Sequence, residues 1–442
     1  MTENLNKQSK NTTISDEHSS TGLSPQMPQS PITTESFILA AEGNIFKETD
    51  MVKTRSADPQ RTYEVREDAS TGFLPEMSLK NIPPFGVYVH WPYCLSKCPY
   101  CDFFSKIAKE INQEEIIAGY LDDLTYYHKL TSGRTVTSIF FGGGTPSLIK
   151  PELINKIISH IYKLWPTAKE IEISLEANPN TDNGNLFTNL KSAGINRLSL
   201  GVQALNDPDL RFLGRTHNLK QALAAIDKVL HHFNNHSMDL IYARPGQTPQ
   251  NWQKELEYAA AFGFKHLSLY QLTIEEGTFF AKKGIQPMEE ESANLLYDLT
   301  NKYLAAQGYP RYEVSNYSRP GFASRHNLLY WQGDDYLGIG PAAHGRLKLG
   351  NRFYALTHHR RQEELTPKER AEEMLLMGLR LTEGINKTSF KQKSGQNLDR
   401  CINPNKLREL KDLKLLEDTE NFLRLTEAGF PVMNKIIEEL YC

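Results

Sequence analysis

The 442-residue sequence has few cysteines, no long hydrophobic run and almost no excess of charge of either sign. Without an apolar run near the ~18–20 residues that cross a bilayer, no transmembrane helix is predicted. The N-terminus lacks the basic-then-apolar pattern of a signal peptide, and its scattered acids are untypical of a transit peptide. A net charge of −3 is also untypical of a nucleic-acid-binding protein, so no nucleic-acid partner is predicted. Together these absences favour a reducing cytoplasm.

Three of the five cysteines, Cys94, Cys98 and Cys101, lie within eight residues. At the spacing C-x3-C-x2-C, each thiolate can bind one iron of a 4Fe-4S cluster, which leaves the fourth iron open to a non-protein ligand. A disulfide is disfavoured, because the cysteine number is odd and no secretory signal is present. A structural zinc site with His90 or Asp102 as fourth ligand remains an alternative, although such sites usually combine two ligand pairs. Plain buried cysteines are a further alternative, disfavoured because prolines mark the segment as a loop.

The first 80 residues are rich in Ser, Thr, Asn, Gln and Pro, which predicts a disordered polar tail. From Phe85, short apolar runs alternate with amphipathic helical segments, a pattern typical of βα units around a parallel sheet. Six units are too few for a closed eight-strand barrel. The predicted fold is therefore α/β, a partial (βα)6 TIM-like barrel over residues 81–325. The six predicted strands are Val87–His90, Ser138–Phe141, Ile171–Glu176, Arg197–Val202, Met238–Ala243 and His266–Leu272.

Two further units are predicted after the barrel. Residues 326–365 are expected to bridge to a smaller C-terminal unit. Residues 366–442 predict an α-rich, winged-helix-like module of helices with a small strand pair. Its predicted elements are the helices Glu372–Leu381, Lys406–Leu413 and Thr426–Leu440 and the strand Phe422–Leu425.

Polar residues and glycines follow the predicted strands, and ligands of parallel βα folds bind at the carboxyl ends of the strands. The turn Gly142-Gly143-Gly144-Thr145-Pro146 would let the backbone approach a ligand without a Cβ in the way, or it is simply a tight turn. It lacks the Lys-Ser/Thr ending of a phosphate-binding P-loop. A ligand site is therefore expected at this end of the barrel.

The cysteine loop and the glycine turn together resemble the radical S-adenosylmethionine superfamily. A closer similarity, from about Gly86 to the C-terminus, is to the oxygen-independent coproporphyrinogen III oxidase family. Five segments carry that similarity: Tyr88-Val-His-Trp-Pro, Phe141-Gly-Gly-Gly-Thr-Pro-Ser, Glu176-Ala-Asn-Pro, Ser199-Leu-Gly-Val-Gln and Leu213-Gly-Arg-Thr-His.

The resemblance implies that S-adenosylmethionine binds the open iron through its amino and carboxylate groups. Cluster reduction would then cleave the sulfonium to a 5′-deoxyadenosyl radical. In the implied site, Tyr88 and Tyr100 would flank the ligand, and Gly143, Gly144 and Thr145 would hold its amino acid end. Glu176 would form a hydrogen bond with a ribose hydroxyl or with the amino group. The remainder of the site would be lined by Gln203, Arg215 and Asp239. Structural alternatives are a helix-capping Glu176 and a surface ion pair for Arg215, which would contribute little to stability.

One departure from the oxidase pattern changes the implied function. In the oxidases that this sequence resembles, the motif is C-x3-C-x2-C-x-C, whereas this sequence has Phe103 at the last position. The Cys-Asp-Phe ending instead resembles the haem-chaperone branch of the family, whose members are implied to bind haem and pass it to an acceptor. The segment His326-Asn-Leu-Leu-Tyr330-Trp331 resembles the haem motif of that branch. Histidine is a common axial ligand of haem iron, and Tyr and Trp rings pack on apolar rings. A structural histidine beside a core Tyr-Trp pair is the alternative.

The resemblance thus implies a haem chaperone that carries a 4Fe-4S cluster and exchangeable S-adenosylmethionine. Its expected partners are haem, an unknown haem-acceptor protein that could be membrane-bound and respiratory, and an electron donor such as flavodoxin or ferredoxin. Its expected place is the cytoplasm or the periphery of the inner membrane. The alternative function is oxygen-independent oxidative decarboxylation of coproporphyrinogen III. A nucleic-acid-modifying enzyme is a third class, disfavoured because no basic stripe accompanies the C-terminal module.

Overall fold

The computed structural model describes residues 83–108, 110–181 and 184–441, and the predicted tail of residues 1–80 lies outside them. The strands are β1 Phe85–Trp91, β2 Tyr93–Cys94, β3 Lys106–Ile107, β4 Val136–Gly143, β5 Thr167–Ala177, β6 Arg197–Gln203, β7 Asn235–Tyr242, β8 His266–Gln271, β9 Asn316–Ser318, β10 Asp335–Ile339, β11 Gly345–Leu349, β12 Arg352–Thr357, β13 Arg361–Leu365, β14 Ile385–Asn386, β15 Leu416–Asp418 and β16 Phe422–Leu425. The α-helices are α1 Gln113–Thr131, α2 Pro151–Leu164, α3 Leu186–Ser192, α4 Asp207–Phe212, α5 Leu219–His232, α6 Pro249–Ala261, α7 Phe279–Lys282, α8 Glu290–Ala306, α9 Arg325–Trp331, α10 Pro367–Gly378, α11 Lys387–Ser394, α12 Pro404–Asp412 and α13 Met433–Leu440.

One open sheet of 11 strands, in the order β13-β12-β11-β10-β1-β4-β5-β6-β7-β8-β9, organises the larger part of the molecule. From β1 to β8 its strands are parallel, and a helix follows each of them along the chain. These six strands coincide with the six predicted ones to within a few residues at each end. The predicted mixed α/β fold with six βα units is therefore confirmed.

Along each strand, side chains point alternately to the helix-covered side of the sheet and to its inner side. In β1, Val87 and Val89 are fully buried in the main hydrophobic core, which also contains Ile157 and Ile161 of α2. Since side chains of successive strand residues point to opposite faces, Tyr88 and His90 face the other way. The inner side of the sheet thereby receives polar side chains at the ends of its strands.

Strands β10 to β13 extend the sheet beyond β1. Strand β10 pairs parallel with β1, and β11 to β13 continue as an antiparallel meander. The sequence predicts no strand here, because the segments are short and β13 consists mostly of charged residues. For example, the first four residues of β13 are all exposed. Residues 326–365 therefore contain α9 and four strands that are continuous with the barrel sheet.

A second, smaller hydrophobic core lies in the C-terminal module. Its helices α10 to α13 surround an antiparallel sheet in the order β14-β16-β15. Helices α10, α12 and α13 and strand β16 were predicted, with shifted boundaries for the helices, whereas the short elements α11, β14 and β15 were not. No helix in the described ranges is both long and apolar enough to cross a bilayer.

Candidate active site: a cysteine loop beside an inner cavity

The cysteine loop leaves the end of β1 and is closed at its base by strand pairing. Cys94 lies in β2, which pairs with β3 on the far side of the loop. Within the loop, the backbone N–H of Cys101 donates to the carbonyl oxygen of Cys98 at 3.1 Å. All three cysteines are free thiols that line one cleft, with Cys94 the most buried. Burial raises the pKa of Cys101 to about 11.

The loop fits an iron–sulfur cluster better than a single metal ion. Within the described residues, no three His, Cys, Asp or Glu side chains converge to hold one ion. His90, the alternative zinc ligand, has both ring nitrogens occupied: Nδ1 lies 3.0 Å from the Tyr88 hydroxyl and Nε2 lies 3.1 Å from the Phe104 carbonyl oxygen. A cubane cluster suits thiols that are spread around a cleft, because each binds a different iron.

The glycine turn at the end of β4 packs directly against the cysteine loop. Gly143 has φ 111°, and a Cβ on it would lie 2.6 Å from the His90 ring. A Cβ on Gly144 would lie 3.0 Å from the Cys94 Sγ, and its N–H donates to the Trp91 carbonyl at 2.7 Å. The glycines therefore bring the ends of β1 and β4 into close contact, with the turn lining the same cleft.

Two half-buried carboxyl groups also line the cleft. Glu176, at the end of β5, accepts from the N–H of Gly143 at 3.2 Å. Burial and the nearby Asp239 raise the pKa of Glu176 to about 8. Asp239 accepts from the Ser199 hydroxyl at 3.0 Å, and burial raises its pKa also. Neither acid caps a helix; both are placed to bond a polar ligand.

Arg215 connects three parts of the site. Its Nη1 lies 3.2 Å from the Cys98 Sγ and 3.4 Å from the Tyr100 hydroxyl, and its Nη2 donates to the Gly201 carbonyl at 3.1 Å. A further short hydrogen bond joins Nη2 to the side-chain oxygen of Asn178. The guanidinium is thus an internal cation of the site, not the partner in a surface ion pair.

The cleft around these groups, here called the main cleft, has an empty volume of about 1440 Å³ including space open to solvent. Its lining contains these predicted residues: Cys94, Cys98, Tyr100, Cys101, Gly143, Gly144, Thr145, Glu176, Gln203, Arg215 and Asp239. Thr273, Glu275 and Ser315 line it as well and were not predicted. Thr273 and Glu275 follow the end of β8, so the expectation that ligands bind at the carboxyl ends of strands could have identified them. Ser315 carries no such signal.

A second space, here called the inner cavity, lies next to the main cleft and has an empty volume of about 550 Å³, which includes space open to solvent. Phe103, Gly143 and Glu176 line both spaces and so form the wall between them. The remaining lining residues are mostly aromatic: Tyr88, Phe140, Asn327, Tyr330, Tyr336, Ala342 and His344. Tyr88, expected to flank S-adenosylmethionine, thus lines the inner cavity, and Phe103, in place of the fourth cysteine, separates the two spaces.

The predicted haem motif lies on α9, beside the inner cavity. His326 is fully buried, and its Nδ1 and Nε2 lie 2.8 Å from the Ser138 hydroxyl and 2.6 Å from the Tyr330 hydroxyl. Burial lowers the pKa of His326 to about 3. Tyr330 lines the cavity, whereas Trp331 is buried behind it. Both nitrogens of His326 are therefore occupied by protein hydroxyls.

Comparison with protein families gives two matches. The model described as the radical SAM superfamily matches residues 88–259, and the model described as the HemN C-terminal domain matches residues 365–432. The first covers β1 to α6 with the cysteine loop, and the second covers most of the C-terminal module.

Curated relatives cover nearly the whole described chain. The protein named heme chaperone HemW of Escherichia coli (strain K12) is 32% identical over 376 residues, which cover 81% of this chain and 98% of that protein. The mitochondrial radical S-adenosyl methionine domain-containing protein 1 of Danio rerio is 34% identical over 380 residues, covering 79% and 85%. Among solved structures, the coproporphyrinogen III oxidase HemN of Escherichia coli superposes with a TM-score of 0.67 at 20% identity, covering 81% of this chain and 90% of that one. The last similarity concerns the fold.

Proposed function

This chain belongs to the HemW family of the radical S-adenosylmethionine superfamily, and we propose that it binds haem and transfers it to an acceptor protein. The observation that carries this proposal is the lining of the inner cavity, which is mostly aromatic. Its aromatic walls suit an apolar ring such as a porphyrin.

The fold implies S-adenosylmethionine and an iron–sulfur cluster as cofactors. We assign the 4Fe-4S cluster to Cys94, Cys98 and Cys101, which leave one iron for the ligand. When bound, the cluster supplies a redox-active iron site to which S-adenosylmethionine can coordinate. Around it, backbone groups of Gly143 to Thr145 would position the ligand's amino acid part.

Six further side chains would complete the proposed S-adenosylmethionine site. Glu176 and Asp239 offer carboxyl oxygens to hydroxyl or amino groups, and the low-dielectric environment strengthens such bonds. Arg215 would balance the negative charge of the thiolates, and Gln203 and Tyr100 would line the site. Tyr88 lines the inner cavity and would support the site from there, next to the wall that Gly143 and Glu176 form.

Phe103 favours haem delivery over porphyrinogen oxidation. The motif of the oxidases has a cysteine at this position, and a phenylalanine cannot supply that thiol. Instead, its ring lines both the main cleft and the inner cavity. A haem bound against these aromatic side chains would therefore be close to the cluster site but separated from it by an apolar side chain.

The proposal includes two protein partners. One is a haem acceptor, for which a membrane-bound respiratory protein is a candidate, and the other is an electron donor of the flavodoxin or ferredoxin type. The proposed place of action is the cytoplasm, where thiolates stay reduced.

An anaerobic haem titration tests the proposed function. Purified protein with a reconstituted cluster is titrated with haem, with and without S-adenosylmethionine, and the Soret band is followed. We expect a shifted Soret band that saturates at stoichiometric haem. A Cys98→Ala variant should lose cluster iron, which tests the three-cysteine assignment separately. The proposal fails if the protein leaves the Soret band unshifted but decarboxylates coproporphyrinogen III in the presence of S-adenosylmethionine and a reductant.

A further inference from the structure

A chain of hydrogen bonds on the inner side of the sheet leads to Asp239, one of the two carboxyl groups of the main cleft. His266 of β8 is 1% exposed, and Ser237 of β7 is fully buried. The Nδ1 of His266 lies 2.7 Å from the Ser237 hydroxyl, and its Nε2 lies 2.8 Å from the Tyr312 hydroxyl. Apart from Asp239, the proposed function uses none of these side chains, and buried polar groups placed in this way require an explanation.

The hydrogen bonds of this chain all point towards β7. The Tyr312 hydroxyl accepts from the N–H of Ser324 at 3.3 Å, and His266 Nε2 is the acceptor within reach of its own hydrogen. Burial and the nearby Arg197 lower the pKa of His266 well below its ordinary value, so the ring is neutral and carries one hydrogen. Since Nε2 accepts, that hydrogen lies on Nδ1 and is donated to Ser237.

The chain ends on the carboxyl group of Asp239. The Ser237 Oγ lies 3.4 Å from Asp239 Oδ1 and 3.3 Å from the Ser268 Oγ. Ser199 donates to the same carboxyl, with distances of 3.0 and 3.2 Å to its two oxygens. Burial raises the pKa of Asp239, and hydrogen bonds from Ser268, Ser199 and Ser237 oppose that rise. Donors of this kind favour the ionised form of a carboxyl group.

The other charged and titratable groups that face Asp239 come from β5, β6 and β8. Glu176 of β5 disfavours a second negative charge beside it, and burial and Asp239 raise the pKa of Glu176 to about 8. Arg197 of β6 favours the ionised Asp239. Tyr270 of β8 is neutral, since burial and Asp239 raise its pKa well above its ordinary value. Because two neighbouring carboxyl groups do not readily ionise together, the hydrogen bonds select Asp239 as the charged one and leave the proton on Glu176.

We propose that His266 is a positioning residue for S-adenosylmethionine: through Ser237 it keeps Asp239 as the charged acceptor of the main cleft, and Tyr312 fixes its ring. The inference rests on the proposed S-adenosylmethionine site and adds residues that do not touch the ligand. Neither His266 nor Tyr312 lines the main cleft or the inner cavity. Hydroxyl or amino groups of the ligand would meet a carboxylate that the protein has already oriented, and its charge strengthens the hydrogen bonds that they donate.

The pH dependence of S-adenosylmethionine binding tests this assignment. Wild type, His266→Leu, His266→Asn and His236→Asn, each with a reconstituted cluster, are titrated anaerobically by isothermal calorimetry. His236 is the matched control, a buried histidine of β7 that faces the opposite side of the strand from Ser237 and accepts from the Lys265 N–H at 3.3 Å.

We expect His266→Leu to bind S-adenosylmethionine roughly 5- to 10-fold more weakly at neutral pH, the effect of one lost hydrogen bond. The pH at which affinity falls on acidification should move upwards in this variant, because Asp239 is protonated more readily. His266→Asn keeps an amide donor near Ser237 and should recover much of the affinity. His236→Asn should follow the wild-type profile.

Tyr312→Phe covers the case in which His266→Leu does not fold. Without the Tyr312 hydroxyl, the His266 ring can adopt its other tautomer and no longer donates to Ser237, so the profile should shift in the same direction by a smaller amount. The assignment is overturned if the pH profile of every folded variant coincides with that of wild type, even where affinity is lower, since a merely structural residue would weaken binding without moving the profile. A wild-type protein that binds no S-adenosylmethionine would instead refute the proposed site itself, so the two failures are distinguishable.

Discussion

Arg215 places a fixed positive charge against the cysteine loop, and at the scale of single residues this contact governs the electrostatics of the site. Its guanidinium lies 3.2 Å from the Cys98 Sγ. Hydrogen bonds to sulfur and nearby net charge are two of the factors that set the reduction potential of an iron–sulfur cluster. Arg215 supplies both, and each stabilises the more negative, reduced cluster.

We predict that Arg215→Gln lowers the reduction potential of the reconstituted cluster. Loss of one charge and one hydrogen bond, together about 1 kcal/mol, corresponds to a shift on the order of 50 mV for a one-electron couple. The measurement is a potentiometric titration followed by electron paramagnetic resonance, at equal iron content. Arg211→Gln, which changes an exposed arginine of α4, is the control. An unchanged or higher potential in Arg215→Gln would contradict the role given to this residue.

The raised pKa of Glu176 makes stability depend on pH. Its pKa is about 8 in the folded protein because of burial and Asp239, against an ordinary value of 4.5. The protonated carboxyl is therefore favoured by folding. Its contribution to stability is fully present below about pH 4.5 and is lost as pH rises through about 8. Without S-adenosylmethionine, we predict that the melting temperature of wild type relative to Glu176→Gln falls between pH 5 and 8. A difference that stays constant, or that rises with pH, would refute the assignment of this pKa.

Short-range patterns predicted the residues of the main cleft, but not the contacts of α9. The cysteine spacing, and the rule that ligands meet strand ends, place Cys98, Glu176 and Asp239 around one cleft. His326 was predicted as a haem ligand from a motif of six residues. Its hydrogen-bond partner Ser138 is 188 residues away along the chain. Only the folded chain brings the two together, so no local pattern could reveal that the ring is occupied.

Helix α10, at the scale of elements, is the link between the sheet and the C-terminal module, and its N-terminus carries a capping box. The Thr366 hydroxyl accepts from the Glu369 N–H at 3.2 Å, and the Glu369 carboxylate accepts from the Thr366 N–H at 2.7 Å. Pro367 at the first helical position needs no N–H partner. These bonds define where β13 ends and the module begins.

We predict that Thr366→Ala destabilises the C-terminal module by about 1 kcal/mol, the usual cost of losing a helix cap. Differential scanning calorimetry of the full chain would detect a lower transition temperature for the module. Thr366→Ser keeps the hydroxyl and should remain close to wild type. If the alanine and serine variants melt together, the capping box contributes nothing to the stability of α10.

The six parallel strands of the barrel could be predicted because each is a short, largely buried segment with apolar residues at alternate positions. Strands β11 to β13 could not, since they extend the sheet towards its edge and are partly exposed. Strand β10 is buried but only five residues long. In β13, the residues before Leu365 are all polar or charged. Pairing with β12 orders that segment, and the pairing is visible only in the sheet. The sequence therefore did not predict these strands at the edge of the fold or the turn that contains His344.

At the scale of the whole molecule, a cluster of charges attaches the C-terminal module to the extended sheet. Arg346 of β11 binds the carboxylate of Glu373 of α10 at 2.7 Å through Nη2, and Arg370 binds the same carboxylate at 3.1 Å. Arg370 also donates to the Gly333 carbonyl at 2.6 Å. The side chain of Arg370 is 8% exposed and that of Glu373 is 22% exposed. Glu373 is therefore the shared anion of two largely buried arginines, one on each side of the contact.

We predict that Glu373→Gln weakens the attachment of the module, because two arginines lose their counter-charge. Removing one partner of a fully buried ion pair costs roughly 3–5 kcal/mol, and partial exposure reduces this to about 2 kcal/mol. Glu372→Gln is the matched control, since Glu372 forms only an exposed pair with Lys368 at 3.7 Å. That pair should contribute less than about 0.5 kcal/mol. Limited proteolysis should release the module faster from Glu373→Gln than from Glu372→Gln or wild type. Equal proteolysis rates in the two variants would show that the charge cluster does not hold the module.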